Sequence, residues 1–298
     1  MEKRKLGSTE VELSSIGLGT WALGGGGWKF GWGPQDDKES VAVIGRAVEL
    51  GVNWIDTSPL YGLGHAEKII GRALREMNEK PFVATKFGIV WDEKRRMAHR
   101  LQKQSVRTEL EASLRRLRLE TVDLYQMHWP IPDEGIEEAW ESAAELLREG
   151  KARYIGVCNF SVDQLARIQA IHKPASVQLP YSVINRMIEN ETLPFCTKEG
   201  IGALAYAVLE KGLLAGKFTK ETIDSLPIDD HRRRDPAFKE PKLSMILKMA
   251  SELKSDSSQQ GRTAAQIAIA KVLDNRAVCS AIIGARTLSQ IDENAQGT

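Results

Sequence analysis

The sequence predicts a closed (β/α)8 barrel, and three observations lead to this fold class. Short apolar, β-prone runs alternate eight times with longer stretches of helical periodicity. The chain of 298 residues has a length at which such units close into one barrel, typically of roughly 250 residues. Glycines stand where several helices should end and the next strand should begin. A doubly wound sheet is the alternative, but the glycines at 24–27 lack the spacing and the directly following helix that it requires.

The individual elements follow from local patterns along the chain. Ser105 and Ser161 are predicted to cap the third and fifth helices, because a serine hydroxyl can accept the free N–H groups of a first turn. Gly51, Gly150 and Gly200 are predicted to end helices. The strands are expected at residues 16–19, 52–56, 82–86, 122–128, 154–157, 176–179, 201–206 and 280–284. The helices are expected at 37–50, 65–75, 105–117, 136–148, 161–171, 191–198, 243–253 and 263–273.

Three segments interrupt the alternation within the single predicted domain of residues 1–298. Residues 1–15 alternate polar and apolar positions around a glycine and predict a β-hairpin before the barrel. Residues 24–34 are rich in glycine and aromatic side chains. Residues 211–241 form a long predicted loop after the seventh strand, and loops of this length are usually functional or mobile. The basic run 231–234 inside it is interpreted as a solvated loop face.

Composition excludes several classes of protein. The net charge is +1, from 41 basic and 40 acidic residues, so the chain lacks the electrostatic footprint of a nucleic-acid-binding or membrane-surface protein. The three scattered cysteines, Cys158, Cys196 and Cys279, are too few for a disulfide framework and indicate a reducing compartment. No apolar run resembles a signal peptide or a membrane span. We therefore expect a cytoplasmic globular protein.

Ionisable side chains stand at the ends of three consecutive predicted strands. These are Asp56, Lys86 and His128, and Tyr61 follows on the second loop. Because a barrel enzyme carries its active site at the carboxyl ends of its strands, we expect these four side chains to meet. Each residue taken alone also has a structural interpretation, as a turn Asp, an ion-pair Lys, a core His or a packed Tyr. The convergence of all four favours catalysis.

The four residue types together suit proton donation to a carbonyl oxygen. An unperturbed Tyr has a pKa near 10, and a neighbouring Lys86 ammonium should lower the pKa of Tyr61. Asp56 can hold Lys86 charged, and His128 can donate or relay a proton. The set contains no nucleophile paired with a base, and no metal-ligand cluster is present. A carbonyl facing such an acid still needs a hydride, which predicts a nicotinamide cofactor.

The sequence as a whole resembles the aldo-keto reductase superfamily. Within that superfamily it is similar to the bacterial general-stress and inositol-cluster types. The resemblance covers essentially the whole chain and implies a (β/α)8 barrel with an N-terminal β-hairpin closing its bottom. It also implies a catalytic tetrad of Asp56, Tyr61, Lys86 and His128, with Tyr61 as the proton donor. The matching stretches are residues 16–21, 24–25, 56–62, 84–86, 123–130, 155–160, 211–217 and 283–294.

The resemblance further implies the positions of a cofactor site. Groups near the nicotinamide, the pyrophosphate and the adenosine are expected in that order along the chain. They are Thr20 and Trp21 by the ribose, Asn159 and Gln178 on the carboxamide, Tyr206 stacked on the ring, Leu209 and Lys217 at the pyrophosphate, and Gly284, Arg286, Gln290, Glu293 and Asn294 at the adenosine.

The chain departs from the usual family pattern at several of these positions. Relatives often have Ser in place of Cys158, Ser-Pro at 207–208, Lys-Ser at 284–285 and Arg in place of Gln290. Arg286 is then the single expected cation for a 2′-phosphate, and a guanidinium suits that group. We therefore predict NADPH, with NADH as the weaker cofactor.

Tryptophans dominate the predicted substrate side. Four of the seven tryptophans fall on loops after strands one, three and four and predict an apolar aromatic pocket wall: Trp28, Trp32, Trp91 and Trp129. Such a wall favours a small-molecule aldehyde or ketone. Two alternatives stay open: a cofactor-binding regulatory barrel with little turnover, as in potassium-channel β subunits, and a reductase of C=N or sugar-derived substrates. The oligomeric state is left open, and a monomer is compatible with the sequence.

Overall fold

Eight parallel strands close into a barrel in the computed structural model, which describes residues 1–297 without the side chains of residues 257–260. Neighbours around the barrel follow chain order, and the eighth strand pairs back to the first, with Gly284 opposite Gly19. The strands are β1 (Lys3–Lys5), β2 (Glu12–Ser14), β3 (Ile16–Gly19), β4 (Trp54–Asp56), β5 (Phe82–Phe87), β6 (Ile89–Trp91), β7 (Met97–His99), β8 (Val122–Met127), β9 (Ala152–Cys158), β10 (Ser176–Pro180), β11 (Gly202–Tyr206) and β12 (Val278–Gly284).

The barrel strands are β3, β4, β5 and β8 to β12, so the predicted fold class is confirmed. Each predicted strand end agrees with the observed one within two residues. The helices are α1 (Asp37–Glu49), α2 (His65–Ala73), α3 (Lys103–Leu117), α4 (Ile136–Arg148), α5 (Val162–Gln169), α6 (Thr192–Glu199), α7 (Lys220–Asp224), α8 (Lys242–Gln260), α9 (Ala264–Leu273) and α10 (Leu288–Asn294). No helix within residues 1–297 is long and apolar enough to cross a membrane.

Helix ends test the predicted caps one by one. Ser161 caps α5 in a reciprocal arrangement with Gln164, as predicted. The prediction for Ser105 was wrong, because α3 already begins at Lys103 and the Ser105 hydroxyl donates to Glu109 within the helix. The helix-ending glycines at 51, 150 and 200 all have positive φ, which is the backbone conformation that ends a helix.

The amino-terminal end of the barrel is closed by the hairpin of β1 and β2, as predicted. Leu6 and Leu13 from this hairpin are fully buried in an apolar layer that also contains Trp54 and Leu124. Gly17 gives the Trp54 ring its space, since a Cβ at that position would lie 2.1 Å from the indole. This end of the barrel is therefore a packed core, and the polar groups lie at the other end.

Two segments contact each other at the carboxyl-terminal end of the barrel. We call them the cover: residues 24–34 and residues 211–241. Trp32 and Asp230 form an isolated antiparallel bridge between them, and the His231 backbone N–H donates to the Gly31 carbonyl at 2.8 Å. The predicted long loop 211–241 contains α7 and three short 3-10 turns, and its apolar side chains pack against α8 and α9.

Candidate active site

Lys86 is the centre of the polar cluster at the strand ends. Its Nζ lies 2.8 and 2.7 Å from the two Asp56 carboxylate oxygens, 2.9 Å from the Thr57 carbonyl oxygen and 3.3 Å from the Tyr61 hydroxyl. Both Asp56 and Lys86 are buried. Although burial acts to lower it, the Asp56 carboxylate raises the pKa of Lys86 above its usual value. Lys86 is thus held charged beside the Tyr61 oxygen.

Two glutamine amides from the barrel interior complete the surroundings of Asp56. Gln178 Nε2 donates to Asp56 Oδ1 at 2.7 Å, and Gln126 Nε2 approaches the same oxygen at 3.4 Å. The sequence analysis missed Gln126, although a glutamine within the apolar run of β8 was the available signal. Asp56 therefore accepts hydrogen bonds from two strands besides the one that carries Lys86.

Tyr61 is a neutral phenol in this site. Burial raises the pKa of Tyr61 to about 12, against the lowering influence of Lys86. Lys86 acts to lower the pKa of Tyr61, as predicted, but burial outweighs it, because removing the phenolate from water costs more than the ammonium returns. Tyr61 holds its proton firmly until a stronger base, such as a developing alkoxide, faces it.

His128 is also neutral, because burial lowers its pKa well below the usual value. The Ser58 hydroxyl lies 3.3 Å from His128 Nδ1 and accepts from the Leu60 N–H, so its own proton is free for Nδ1. This network assigns the ring proton to Nε2. His128 packs edge-on against Tyr61, with 6.1 Å between the ring centroids. A neutral imidazole in this tautomer can donate a hydrogen bond but carries no charge.

A cavity of about 1040 Å³ opens above this cluster. Asp56, Tyr61 and His128 line it, and Lys86 lies beneath the surface. All twelve predicted cofactor positions line the same cavity: Thr20, Trp21, Asn159, Gln178, Tyr206, Leu209, Lys217, Gly284, Arg286, Gln290, Glu293 and Asn294. The structure thus brings the whole predicted set together around one space.

The polar atoms of the cavity wall fit an extended dinucleotide. Tyr206 donates to Asn159 Oδ1 at 2.8 Å, and Asn159 Nδ2 donates to the His128 carbonyl at 3.0 Å. Within the described residues, Glu293 Oε1 is buried without a hydrogen-bond partner. An unpaired acceptor in α10 suits a polar hydrogen of an adenosine.

Three of the four predicted wall tryptophans line this cavity. Trp28, Trp32 and Trp129 are among its lining residues. Trp91 is not, and its prediction is corrected. The short β6–β7 hairpin carries Trp91 away from the strand ends into a neighbouring cavity of about 750 Å³, which Trp28 also borders.

The interpretation of the basic run as a solvated face holds for Arg233 and Arg234, which are exposed, but was wrong for His231 and Arg232. His231 and Arg232 are both buried and both line the cavity. The Arg232 guanidinium lies 4.4 Å from the Trp32 ring centroid and pairs with the buried Asp230 carboxylate. No local pattern predicted this burial, because the aromatic partner, Trp32, lies about 200 residues earlier in the chain.

Taken with the barrel, this site defines an oxidoreductase that works with a nicotinamide cofactor on small carbonyl compounds. The chain belongs to the aldo-keto reductase family: the model of the "Aldo/keto reductase family" matches residues 15–297. It is 37% identical over 296 residues to aldo-keto reductase YhdN of Bacillus subtilis (strain 168), which covers 98% of this chain and 87% of that protein. It is 33% identical to the NADH-specific methylglyoxal reductase of Escherichia coli (strain K12), over 99% of this chain and 92% of that protein.

Solved structures show the same relationship. The glycerol dehydrogenase AKR11B4 from Gluconobacter oxydans has a TM-score of 0.88 and 38% identity, and the match covers 99% of this chain and 89% of that one. Aldo-keto reductase AKR11C1 from Bacillus halodurans, in its holo form, has a TM-score of 0.82 and 25% identity, covering 100% and 90%. The fold and the family predicted from the sequence are therefore confirmed.

Proposed function

We propose that this protein is an NADPH-dependent reductase of aldehydes and ketones in which Tyr61 is the general acid. The observation that carries the proposal is the contact of Lys86 Nζ with both Asp56 oxygens and the Tyr61 hydroxyl, next to a cavity that continues to the adenosine-end residues. A bound nicotinamide supplies the hydride that the carbonyl carbon receives.

In the reaction the protein donates one proton and stabilises the negative charge that develops. Tyr61 gives its proton to the carbonyl oxygen as that oxygen becomes an alkoxide, and the Lys86 charge stabilises the phenolate that remains. Asp56 keeps Lys86 charged and in position. His128, neutral with its proton on Nε2, can donate a hydrogen bond to the same oxygen. Solvent then returns a proton to Tyr61.

The preference for NADPH rests on Arg286. Its guanidinium donates to the Gln35 side chain and to the carbonyl oxygens of Trp32 and Pro34. None of these partners is charged, so Arg286 keeps a positive charge that no carboxylate within the described residues neutralises by contact. A 2′-phosphate would neutralise it. Because one relative is named as NADH-specific, the choice of cofactor must be measured for this chain.

Three buried, unpaired cysteines support the further proposal that the protein works in the reducing cytoplasm: Cys158, Cys196 and Cys279.

The experiment is oxidation of NADPH, followed by absorbance, with a panel of aromatic and aliphatic aldehydes and repeated with NADH. Rapid oxidation with NADPH and slow oxidation with NADH supports the proposal. Equal or faster oxidation with NADH overturns the assigned preference. Tight NADPH binding with negligible turnover across the panel instead supports the regulatory barrel.

A further inference from the structure

We propose that Trp32 and His231, one from each segment of the cover, form a subsite for a hydroxyl group, so that the preferred carbonyl substrates are hydroxylated. This inference rests on the proposed function, because it concerns the part of the substrate that does not react. It follows from one hydrogen-bond donor and one acceptor that are neighbours and that both lack partners.

The acceptor is the Nε2 atom of His231. Its other ring nitrogen, Nδ1, lies 3.2 Å from the Gly31 carbonyl oxygen, and a carbonyl can only accept, so Nδ1 carries the ring proton. Burial lowers the pKa of His231, which keeps the ring neutral. Nε2 therefore presents a lone pair, and it is buried with no hydrogen-bond partner within residues 1–297.

The donor is the indole N–H of Trp32, which is also buried without a partner in the described chain. The two neighbouring tryptophans of the site differ from it in this respect. Trp21 Nε1 donates to the Phe30 carbonyl and Trp28 Nε1 to the Gly25 carbonyl, each at 3.0 Å. Because an unpaired buried polar group is costly, native structures rarely keep one without a reason. Here two occur in adjacent rings.

A hydroxyl group satisfies both atoms at once. It accepts a hydrogen bond from Trp32 and donates one to His231, whereas a carboxylate has no proton to donate and an ammonium has no lone pair to accept with. The two ring centroids are 5.5 Å apart, and the planes are inclined by 56°. Because both rings line the cavity, the hydroxyl approaches the two nitrogens from the cavity side, at the junction of the two cover segments.

The position of this pair relative to Tyr61 connects it to the reacting carbonyl. Trp21 contacts His231 on one side, with 4.9 Å between ring centroids, and stacks against Tyr61 on the other at 6.2 Å. Trp32 and His231 line the same cavity as Tyr61. One small molecule can therefore place its carbonyl at Tyr61 and a hydroxyl toward the cover.

The test compares two three-carbon aldehydes, glyceraldehyde and propanal, by the ratio of their kcat/KM values per free aldehyde. We expect the wild-type protein to favour glyceraldehyde by about 10- to 100-fold, the scale of a buried hydrogen bond left unmade. Trp32→Phe keeps an aromatic ring but removes the N–H, and should lower the ratio about tenfold. His231→Phe removes the acceptor, keeps the backbone bond to Gly31, and should lower the ratio similarly.

Trp28→Phe is the matched control, because it removes an N–H that the Gly25 carbonyl already satisfies. Whatever it does to either rate, it should leave the ratio unchanged. A wild-type ratio near one, an unchanged ratio in Trp32→Phe, or an equal fall in Trp28→Phe overturns the subsite. Absence of turnover with both aldehydes and the wider panel contradicts the proposed function itself, so the two failures are distinguishable.

Discussion

The floor of the active site, Asp56, Tyr61, Lys86 and His128, is held together within a few ångströms by elements adjacent in the barrel. The cover joins residues about 200 positions apart, and its contacts are aromatic rings, one buried ion pair and bonds to backbone carbonyls. On the floor, the Lys86 ammonium forms an ion pair with the Asp56 carboxylate on the neighbouring strand. In the cover, Arg232 pairs with Asp230, whereas Trp32 Nε1 and His231 Nε2 have no hydrogen-bond partner within residues 1–297. This difference indicates that the floor is built for fixed geometry, whereas the cover retains unpaired groups for ligands.

The largest expected effect concerns the floor. Lys86→Met leaves the buried Asp56 carboxylate unpaired and should lower the free energy of unfolding by about 3–5 kcal/mol. Urea denaturation measures it. Adding Asp56→Asn removes the stranded charge and should recover a large part of the loss. A change below about 1 kcal/mol, as for an exposed pair, would show that the floor does not depend on this ion pair.

The second effect is on the chemical step. Tyr61→Phe removes the proposed proton donor without changing the ring and should lower turnover by at least about 10²-fold, with NADPH binding little changed. Tyr154→Phe is the control. Tyr154 packs on Phe82 in the apolar layer at the closed end of the barrel, away from the candidate site. Near-normal turnover in Tyr61→Phe would remove Tyr61 from the mechanism.

The third effect concerns Arg286, which lies outside the cover but donates to two of its backbone carbonyls. Arg286→Ala should weaken NADPH binding by roughly 1.5–3 kcal/mol, as for a lost charged hydrogen bond, and leave NADH binding nearly unchanged. Fluorescence titration of both cofactors measures it. Gln35→Ala is the control, because it removes the side chain that exchanges two hydrogen bonds with Arg286 but keeps the charge. An equal loss for both cofactors in Arg286→Ala would mean that Arg286 only supports the cover.

A fourth, smaller effect separates cover from barrel. Arg232→Met leaves Asp230 without its guanidinium and should cost about 1–3 kcal/mol, confined to the cover, because the barrel strands make no part of this pair. Limited proteolysis should then cut within residues 211–241 before the barrel unfolds. Simultaneous loss of barrel and cover would show that the two regions unfold as one unit.

The smallest expected effect concerns the Tyr61 phenol, which should not titrate near pH 10. Because burial raises the pKa of Tyr61 to about 12, its phenol should stay protonated while ordinary tyrosines ionise near pH 10. Ultraviolet titration of the cofactor-free protein against Tyr61→Phe should show no difference below about pH 11. A difference centred at or below pH 10 would show that the Lys86 ammonium outweighs burial.

The division between the floor and the cover also separates the features that the sequence predicted from the features it did not. Periodicity predicted all eight barrel strands, and strand order then required Asp56, Lys86 and His128 to meet. Ser105 was misplaced because a serine near a helix start resembles a cap whether or not the helix begins earlier. Trp91 was misplaced because nothing in its surroundings showed that a second small hairpin would carry it away.

The sequence by itself therefore determined the barrel, the family and the meeting of Asp56, Tyr61, Lys86 and His128, because these depend on local periodicity, on motif spacing and on a fold whose strand ends must converge. Only the tertiary structure decided the pKa of Tyr61, the burial of His231 and Arg232, and the unpaired Trp32 and His231 nitrogens. Each of these depends on how much water is excluded by a segment distant in the chain. Desolvation is a property of the assembled surroundings, and no residue type or spacing specifies it.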